Sequence, residues 1–529
     1  LKPGVAQAKF WVSRVVRCVA RDMPPTLYRI GFNVGLWALG GVLPLRTTAA
    51  ASPSKWDVLQ GIIQEAGEAL ERASQSDNGS NDGLLPVMKR LQEAVEKVPP
   101  GEDETDTSMI ETRVHNFPRL LDRACQRMLG GLERQLYHAV KTFPRDKLRK
   151  YYAQRAELYR LMLESRHRES IPRVGSWLTD VASGRRFKDW GGPPTGISKH
   201  FGPVRKSFAV DRIASTEVSK FRANYQGQLP VVLTGLAETW PARKKWTLDY
   251  LKDKIGRAVV KAVFPERSDG WVNEIAVFNM ETFDCSAFPR GKSRNDLLHL
   301  VGKWAIVRPP SAHARLADVL SAMSNSSGEV PIYVNQLNMF EGLEPLLEDL
   351  GDLRIHESHA REPQHAKDLF VTNAVAVVGL HYDNDDNFIT VLKGTKEILL
   401  YPPGEHRRVY NNPLVNLLVD FSPEARRKPC HFIVSSAFNK NHCEVNEMQP
   451  DVEGGHPMYA KANGTSLTVH AGETVYIPAK WFHAVRTVPA ADGGYALAAN
   501  AWLPPPPARA REKKIANAAR KRSAKKREL

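Results

Sequence analysis

Between residues 54 and 168, apolar positions recur every three or four residues. Leu59, Ile62, Ile63, Ala66 and Leu70 form one stripe, and Val87, Leu91, Val95 and Val98 a second, the period of an amphipathic helix. Leu121, Cys125, Met128, Leu132, Leu136 and Val140 form a third, stopped by Pro144, and Leu148, Tyr151, Leu158 and Met162 a fourth. Polar loops at 74–83 and 99–106 separate the early stripes. The pattern predicts an α-helical domain over 53–170, a small bundle or a hairpin that could mediate oligomerisation. A Gly/Pro/Arg-rich stretch, with Gly191-Gly192-Pro193-Pro194 as its clearest breaker, predicts a linker over 171–204. From 205 to 503 the texture changes to short apolar runs, such as Val231-Val232-Leu233, Trp304-Ala305-Ile306-Val307 and Ile332-Tyr333-Val334. Many short strands separated by turns predict a β-sandwich or barrel, so the fold class is α+β. Residues 404–465 read as a long insertion in that domain, and Pro504 to Pro507 open a basic tail over 504–529.

Composition narrows this picture. Across 529 residues, 42% apolar and 25% charged are ordinary globular values, which excludes global disorder and fibrous classes. Five scattered cysteines without a C-x-x-C pair exclude a disulfide scaffold and the common zinc-finger readers. The net charge of +16 sits at the ends: +6 in 1–50 and +8 in 505–529, leaving about +2 between them. The interior therefore does not demand a nucleic-acid groove, while the tail fits a nucleic-acid or nuclear-localisation patch. Residues 30–45 are apolar but shorter than the roughly 20 residues of a stable membrane span. Their basic, apolar, small-residue order in 1–52 resembles an organelle-targeting segment. These two ends point to different compartments, with nucleus or cytoplasm favoured by the tail.

Candidate chemistry centres on His381-Tyr382-Asp383 and the distant His483. Two residues apart on an extended segment, His381 and Asp383 point the same way. A later imidazole would complete two histidines and one carboxylate, a set that holds one face of Fe(II) and leaves the other open. The run from Asn387 through Gly394 to Pro403 reads as strand, turn, strand, returning Lys396 towards the metal side. A lysine opening a buried strand is costly unless it meets an anion. Downstream, Gly472 to His483 reads as a turn, a buried strand and a histidine behind aromatics.

The H-Y-D-x-x-x-N-F, K-G-x-K-x-x-x-L-x-P-P and Y-I-P-x-x-W-x-H patterns occur in that order. In them the chain resembles the Jumonji-C (cupin-like) Fe(II)- and 2-oxoglutarate-dependent oxygenases, over roughly 205–503. The likeness is greatest to the protein-hydroxylase branch containing the asparaginyl hydroxylase that inhibits hypoxia-inducible factor. The resemblance implies a double-stranded β-helix (jelly-roll) in which His381, Asp383 and His483 ligate iron. Lys396 and Tyr333 would hold the distal carboxylate of 2-oxoglutarate, Asn387 and Asn500 would contact the metal-proximal end, and Trp502 would pack beside the site. One departure stands out: Val378 replaces the Thr or Ser usual three residues before the first ligand, removing a cosubstrate donor.

The implied reaction uses O2 and 2-oxoglutarate to hydroxylate a protein side chain, with succinate and CO2 as co-products. N-methyl-lysine demethylation, tRNA-base hydroxylation and a non-catalytic binding module are the rivals. Loops around 335–340 and the 404–465 insertion would set specificity. Cys430, His431, His442 and Cys443 are all competent zinc ligands, although their spacing matches no familiar site and a structural loop is the simpler reading.

Overall fold

The computed structural model describes residues 145–506 apart from 184–199, 265–275, 280–301, 310, 326–329, 352, 354, 357–366, 420–431 and 493, and three earlier helical positions, Asp122, Gln126 and Leu129. Two compact units divide the chain, Leu1–Phe143 and Pro144–Leu529. Nearly every described residue belongs to the second. The residues of the first three helical stripes, the segment 1–52 and the tail beyond 506 lie outside the described residues. Among the described residues no helix is long and apolar enough to cross a membrane.

The fourth stripe lies in α1 (Arg145–Arg166), where its Leu158 and Met162 are buried together with Leu161. The next element corrects the expected linker. Residues read as its start form α2 (Ser170–Ala182), which buries Ile171, Val174, Trp177, Leu178 and Val181. Those five follow the helical period despite the Gly/Pro composition around them. Pro172 falls in the first turn, where its missing N–H costs no intrahelical bond.

Nine strands carry the centre of the fold: β1 (Tyr333–Asn338), β2 (Lys367–Thr372), β3 (Ala376–Tyr382), β4 (Asp386–Lys393), β5 (Thr395–Tyr401), β6 (Asn463–His470), β7 (Thr474–Ile477), β8 (Phe482–Val488) and β9 (Ala496–Leu503). One sheet runs β6-β5-β8-β3, with Arg205–Lys206 at its edge, and the other contains β7-β4-β9-β2-β1. All pairs within β2–β9 are antiparallel. Two such four-stranded sheets, sharing eight strands that pass between them, make the double-stranded β-helix, or jelly-roll. The second sheet is extended by Asp211–Ala214 and Val231–Thr234 beyond β7, and by Val259–Val263 and Ser311–Arg315 beyond β1.

Alternation along the strands explains the layers. Ile389 and Val391 of β4, Ile398 and Leu400 of β5, Val475 and Ile477 of β7 and Val485 of β8 form one cluster. Phe388 and Leu392, on the opposite face of β4, join Leu251, Leu320 and α2 in a larger core. A strand buried on both faces reads as a near-continuous apolar run, which residues 388–392 show with Thr390 as their one polar member.

Within the expected insertion, Leu414–Val419 and Phe432–Asn439 pair with each other, and a third and fourth strand, Trp304–Arg308 and Ala276–Asn279, complete a separate sheet. The insertion is therefore partly built β-structure.

Candidate metal centre and its cavity

β3 and β8 pair with His381 opposite His483. This register brings residues one hundred positions apart onto one spot. Asp383 follows β3 directly, and Lys480 N–H donates to its carbonyl at 2.8 Å, tying the Asp383 turn to the turn that precedes His483. Nitrogen and oxygen atoms of His381, Asp383 and His483 all lie within 4.8 Å of one another. His381 Nε2 is 3.9 Å from Asp383 Oδ1 and His483 Nε2 is 3.5 Å from Asp383 Oδ2.

The tautomers are fixed by backbone carbonyls. His381 Nδ1 lies 2.8 Å from the Gly379 carbonyl and His483 Nδ1 lies 3.0 Å from that of Trp481. A carbonyl only accepts, so both Nδ1 atoms carry the proton and both Nε2 lone pairs face Asp383. Such outer partners orient metal-binding imidazoles. Asp383 Oδ2 accepts from Trp502 Nε1 at 3.1 Å and from Asn387 Nδ2 at 3.1 Å. Burial opposes charge on Asp383, but His483, His381, Trp502 and Asn387 outweigh it and hold the carboxyl below its usual range. Burial, followed by the neighbouring His381 ring, pushes His483 below its ordinary value. Two neutral imidazoles and one carboxylate suit a divalent transition metal.

All three residues line a cavity of about 260 Å³, and Tyr333, Val378, Asn387, Lys396, Asn500 and Trp502 line it too. The three metal-ligand candidates and the residues read as their cosubstrate neighbours are thus brought to one place. Lys396 reaches it because Gly394, at φ +78°, closes the β4–β5 turn where a side chain would collide with the Val488 carbonyl at 2.5 Å. Its ammonium donates to Thr487 Oγ1 at 2.8 Å and lies 5.4 Å from the Phe370 ring centroid. Only 4% exposed, it is pushed down to about 7 by burial alone. Among the described residues no carboxylate pairs with it. A buried ammonium without an anion is a costly arrangement, and the donor set suits an anionic ligand. Asn500 Nδ2 donates to Asn387 Oδ1 at 3.4 Å, while Asn500 Oδ1 is buried without a partner among the described residues. Val378 packs with Tyr333, Phe370 and Trp502 in an apolar cluster, so its side chain contributes contact and no hydrogen bond.

Sequence reasoning missed other lining residues. Gln336 enters through an irregularity in the β1–β2 register and has φ of 46°, a left-handed conformation that costs a non-glycine residue energy. Arg308, Asn439, Asn441 and His442 form another part of the wall. Asn439, Asn441 and His442 lie in the insertion, which the sequence marked as a specificity element, whereas Arg308 ends the strand Trp304–Arg308 and had no such signal. The tentative zinc quartet does not stay together: His442 lines the cavity, whereas Cys443 is buried with Leu380, Leu399 and Tyr401. Adjacent residues on an extended segment face opposite ways. Cys430 and His431 lie outside the described residues. Among the described residues only His381, Asp383 and His483 form a metal-competent group.

Residues 218–509 match the cupin-like domain family, and this chain belongs to it, as a JmjC-type member. The family's JmjC members are Fe(II)- and 2-oxoglutarate-dependent oxygenases. Similar proteins include the human bifunctional peptidase and (3S)-lysyl hydroxylase JMJD7, 26% identical over 49% of this chain and 73% of its own length. The lysine-specific demethylase JMJ31 of Arabidopsis thaliana is 25% identical over 54% of this chain and 48% of its own. The tRNA wybutosine-synthesizing protein 5 of Gallus gallus is 24% identical over 49% and 67%.

Proposed function

We propose that this chain is an Fe(II)- and 2-oxoglutarate-dependent dioxygenase that hydroxylates a protein side chain. One observation carries the reading: the two Nε2 lone pairs and the Asp383 carboxylate converge in the cavity that also holds the Lys396 ammonium, which meets no carboxylate among the described residues. His381, Asp383 and His483 would hold the iron through one face. Lys396, with Tyr333, would hold the distal carboxylate of 2-oxoglutarate, and Asn387 and Asn500 the metal-proximal end. Bound iron would supply the site where O2 is reduced as 2-oxoglutarate loses CO2, one oxygen atom entering succinate and the other a substrate C–H.

The chain's own residues then have distinct tasks. The Gly379 and Trp481 carbonyls keep both imidazoles in the ligating tautomer. Trp502 and Asn387 keep Asp383 ionised and oriented. Phe370, Val378, Ile389 and Val485 supply apolar wall that limits water around the reacting centre. Loss of the donor at Val378 leaves the cosubstrate to Lys396, Tyr333 and the two asparagines.

Demethylation of an N-methyl-lysine is the second reading, favoured by the likeness to proteins named lysine-specific demethylases. Hydroxylation of a tRNA base is the third, by the likeness to a wybutosine-synthesizing protein. The retained triad, Lys396 and Asn387 weigh against a purely non-catalytic binding module. Succinate formation from 2-oxoglutarate with Fe(II), ascorbate and O2 tests the proposal. It is expected in the wild type and absent in His381→Ala; equal succinate from both would refute it.

A further inference from the structure

Two imidazoles outside the cavity lie face to face where α1 ends. His167 opens the turn after α1, and its ring stacks on that of His313 with centroids 3.7 Å apart and planes 12° apart. His313 is the middle residue of the strand Ser311–Arg315, so this contact joins the end of the helix to the outermost strand of the larger sheet. Both residues are half-buried, and neither ring makes a hydrogen bond among the described residues.

Their surroundings are cationic. Lys261 stands directly opposite His313 in the pairing of Val259–Val263 with Ser311–Arg315, and directly opposed residues share a face of the sheet. Arg315, two residues after His313, lies on that face as well. Arg166 precedes His167, and its charge acts on both rings. The nearby carboxylate of Glu164 is already engaged, paired with Arg160 and 3.8 Å from Arg315. Arg168 and Glu169 are exposed in the turn that follows His167. Ser170, where α2 begins, adds no charge, and its hydroxyl donates to the His167 carbonyl at 3.1 Å. Two neutral rings can stack among these neighbours, whereas two imidazolium rings 3.7 Å apart would repel each other and the cations around them. Burial, then Arg166, push His167 below its ordinary value, and burial, then His167, Lys261 and Arg166, push His313 down to about 4.

The helix fastened in this way also braces the cavity wall. Gln336, a lining residue in the left-handed region, opens a segment that runs to Glu344. From α1, Arg155 Nε donates to the Phe340 carbonyl at 2.6 Å and lies 3.1 Å from Oε1 of the buried Glu344. The Tyr152 and Phe340 rings meet edge to face, with centroids 6.5 Å apart. We propose that the His167–His313 stack is an acid-sensitive latch, holding α1 on the sheet while both rings are neutral and releasing the helix, with its brace on residues 336–344, when they take up protons. The latch is independent of the reaction that the cavity supports. Once released, the rings bind protons at the ordinary histidine value of 6.5, whereas the stacked rings take them up only at lower pH. The latched state therefore strengthens as pH rises from about 4 to 6.5 and gives way as pH falls through that window.

Hydrogen–deuterium exchange of the full chain at pH 7.5 and pH 5, corrected for the intrinsic pH dependence of exchange, tests the latch. Residues 155–170 and 336–344 should lose about tenfold in protection at pH 5, the value of one unit of displaced titration, while β4 and β9 keep theirs. The double variant His167→Phe, His313→Phe keeps two aromatic rings that cannot take up protons, and it should keep its protection at pH 5. Should that variant fail to fold, NMR titration of the wild-type histidines, assigned by single substitutions to glutamine, reads the same property. The His167 and His313 signals should then titrate below 6.5, in coupled steps. Titration of both at 6.5, unchanged wild-type protection at pH 5, or equal loss in wild type and double variant would overturn the latch. Loss confined to 155–170, with 336–344 unchanged, would overturn its connection to the cavity wall.

Discussion

Lys396→Met should make the ligand-free protein more stable while removing its hold on 2-oxoglutarate. The lysine is buried with a single hydroxyl partner and no carboxylate among the described residues. Its drop from 10.5 to about 7, at about 1.36 kcal/mol per unit, corresponds to a penalty on the order of 5 kcal/mol for keeping the charge in place. Methionine fills similar space without a charge to desolvate. The sign follows from where each state binds the proton. The unfolded chain keeps it up to about 10.5, whereas the folded chain releases it near 7, so wild-type stability rises with pH through that window. The advantage of Lys396→Met should therefore be full below pH 7, about 2–5 kcal/mol, and shrink as pH approaches 10. Urea denaturation of both proteins at pH 6, 7.5 and 9 measures it. Adding 2-oxoglutarate at 100 times its dissociation constant should then stabilise the wild type by about 2.7 kcal/mol and leave the variant unchanged. A variant less stable than wild type at pH 6, or a gap that does not move with pH, would refute the reasoning.

Other expectations follow from the same geometry. Trp502→Phe removes the indole donor to Asp383 Oδ2 and should weaken iron binding by about 10–100-fold, read by metal titration. Glu447 is buried and accepts the Leu380 N–H at 3.3 Å, and burial pushes it up to about 7. Its folded state therefore binds more protons than the unfolded chain between about 4.5 and 7, so this group makes stability fall as pH rises through that window. Glu447→Gln should accordingly gain about 2–3 kcal/mol at pH 8 and nothing at pH 4, in melts across that range. Asp386 accepts from Tyr476, Ala479 N–H and His356 at 2.6, 2.8 and 3.1 Å, pinning the turn that leads to His483. Asp386→Ala should cost about 3–5 kcal/mol in denaturation and lower iron affinity with it.

The sequence made the site more legible than the fold around it. His381, Asp383 and Lys396 could be placed because strand alternation and one glycine turn determine where those side chains go. His483 could be placed because it closes a turn, a buried strand and an aromatic run that match the Y-I-P-x-x-W-x-H pattern of the family. β4 was visible as a continuous apolar run, and its neighbours as short runs between turns. Helix α2 was hidden because the glycines and prolines beyond it dominated the composition, although Val174, Trp177, Leu178 and Val181 carried a helical period. His442 was visible as a potential ligand but was grouped with the wrong neighbours. Its true companions, Asn439 and Asn441, are amides with no distinguishing pattern, and its contact with His381 depends on the long-range return of the insertion. Long-range contacts of that kind leave no local trace in a single sequence.

The most direct test measures bound iron and 2-oxoglutarate consumption together, in the wild type and in Asp383→Ala. The account predicts one iron per wild-type chain and succinate formed in step with 2-oxoglutarate lost, with both abolished in the variant. Wild-type protein that binds no iron, or a variant that retains iron and turnover, would contradict it.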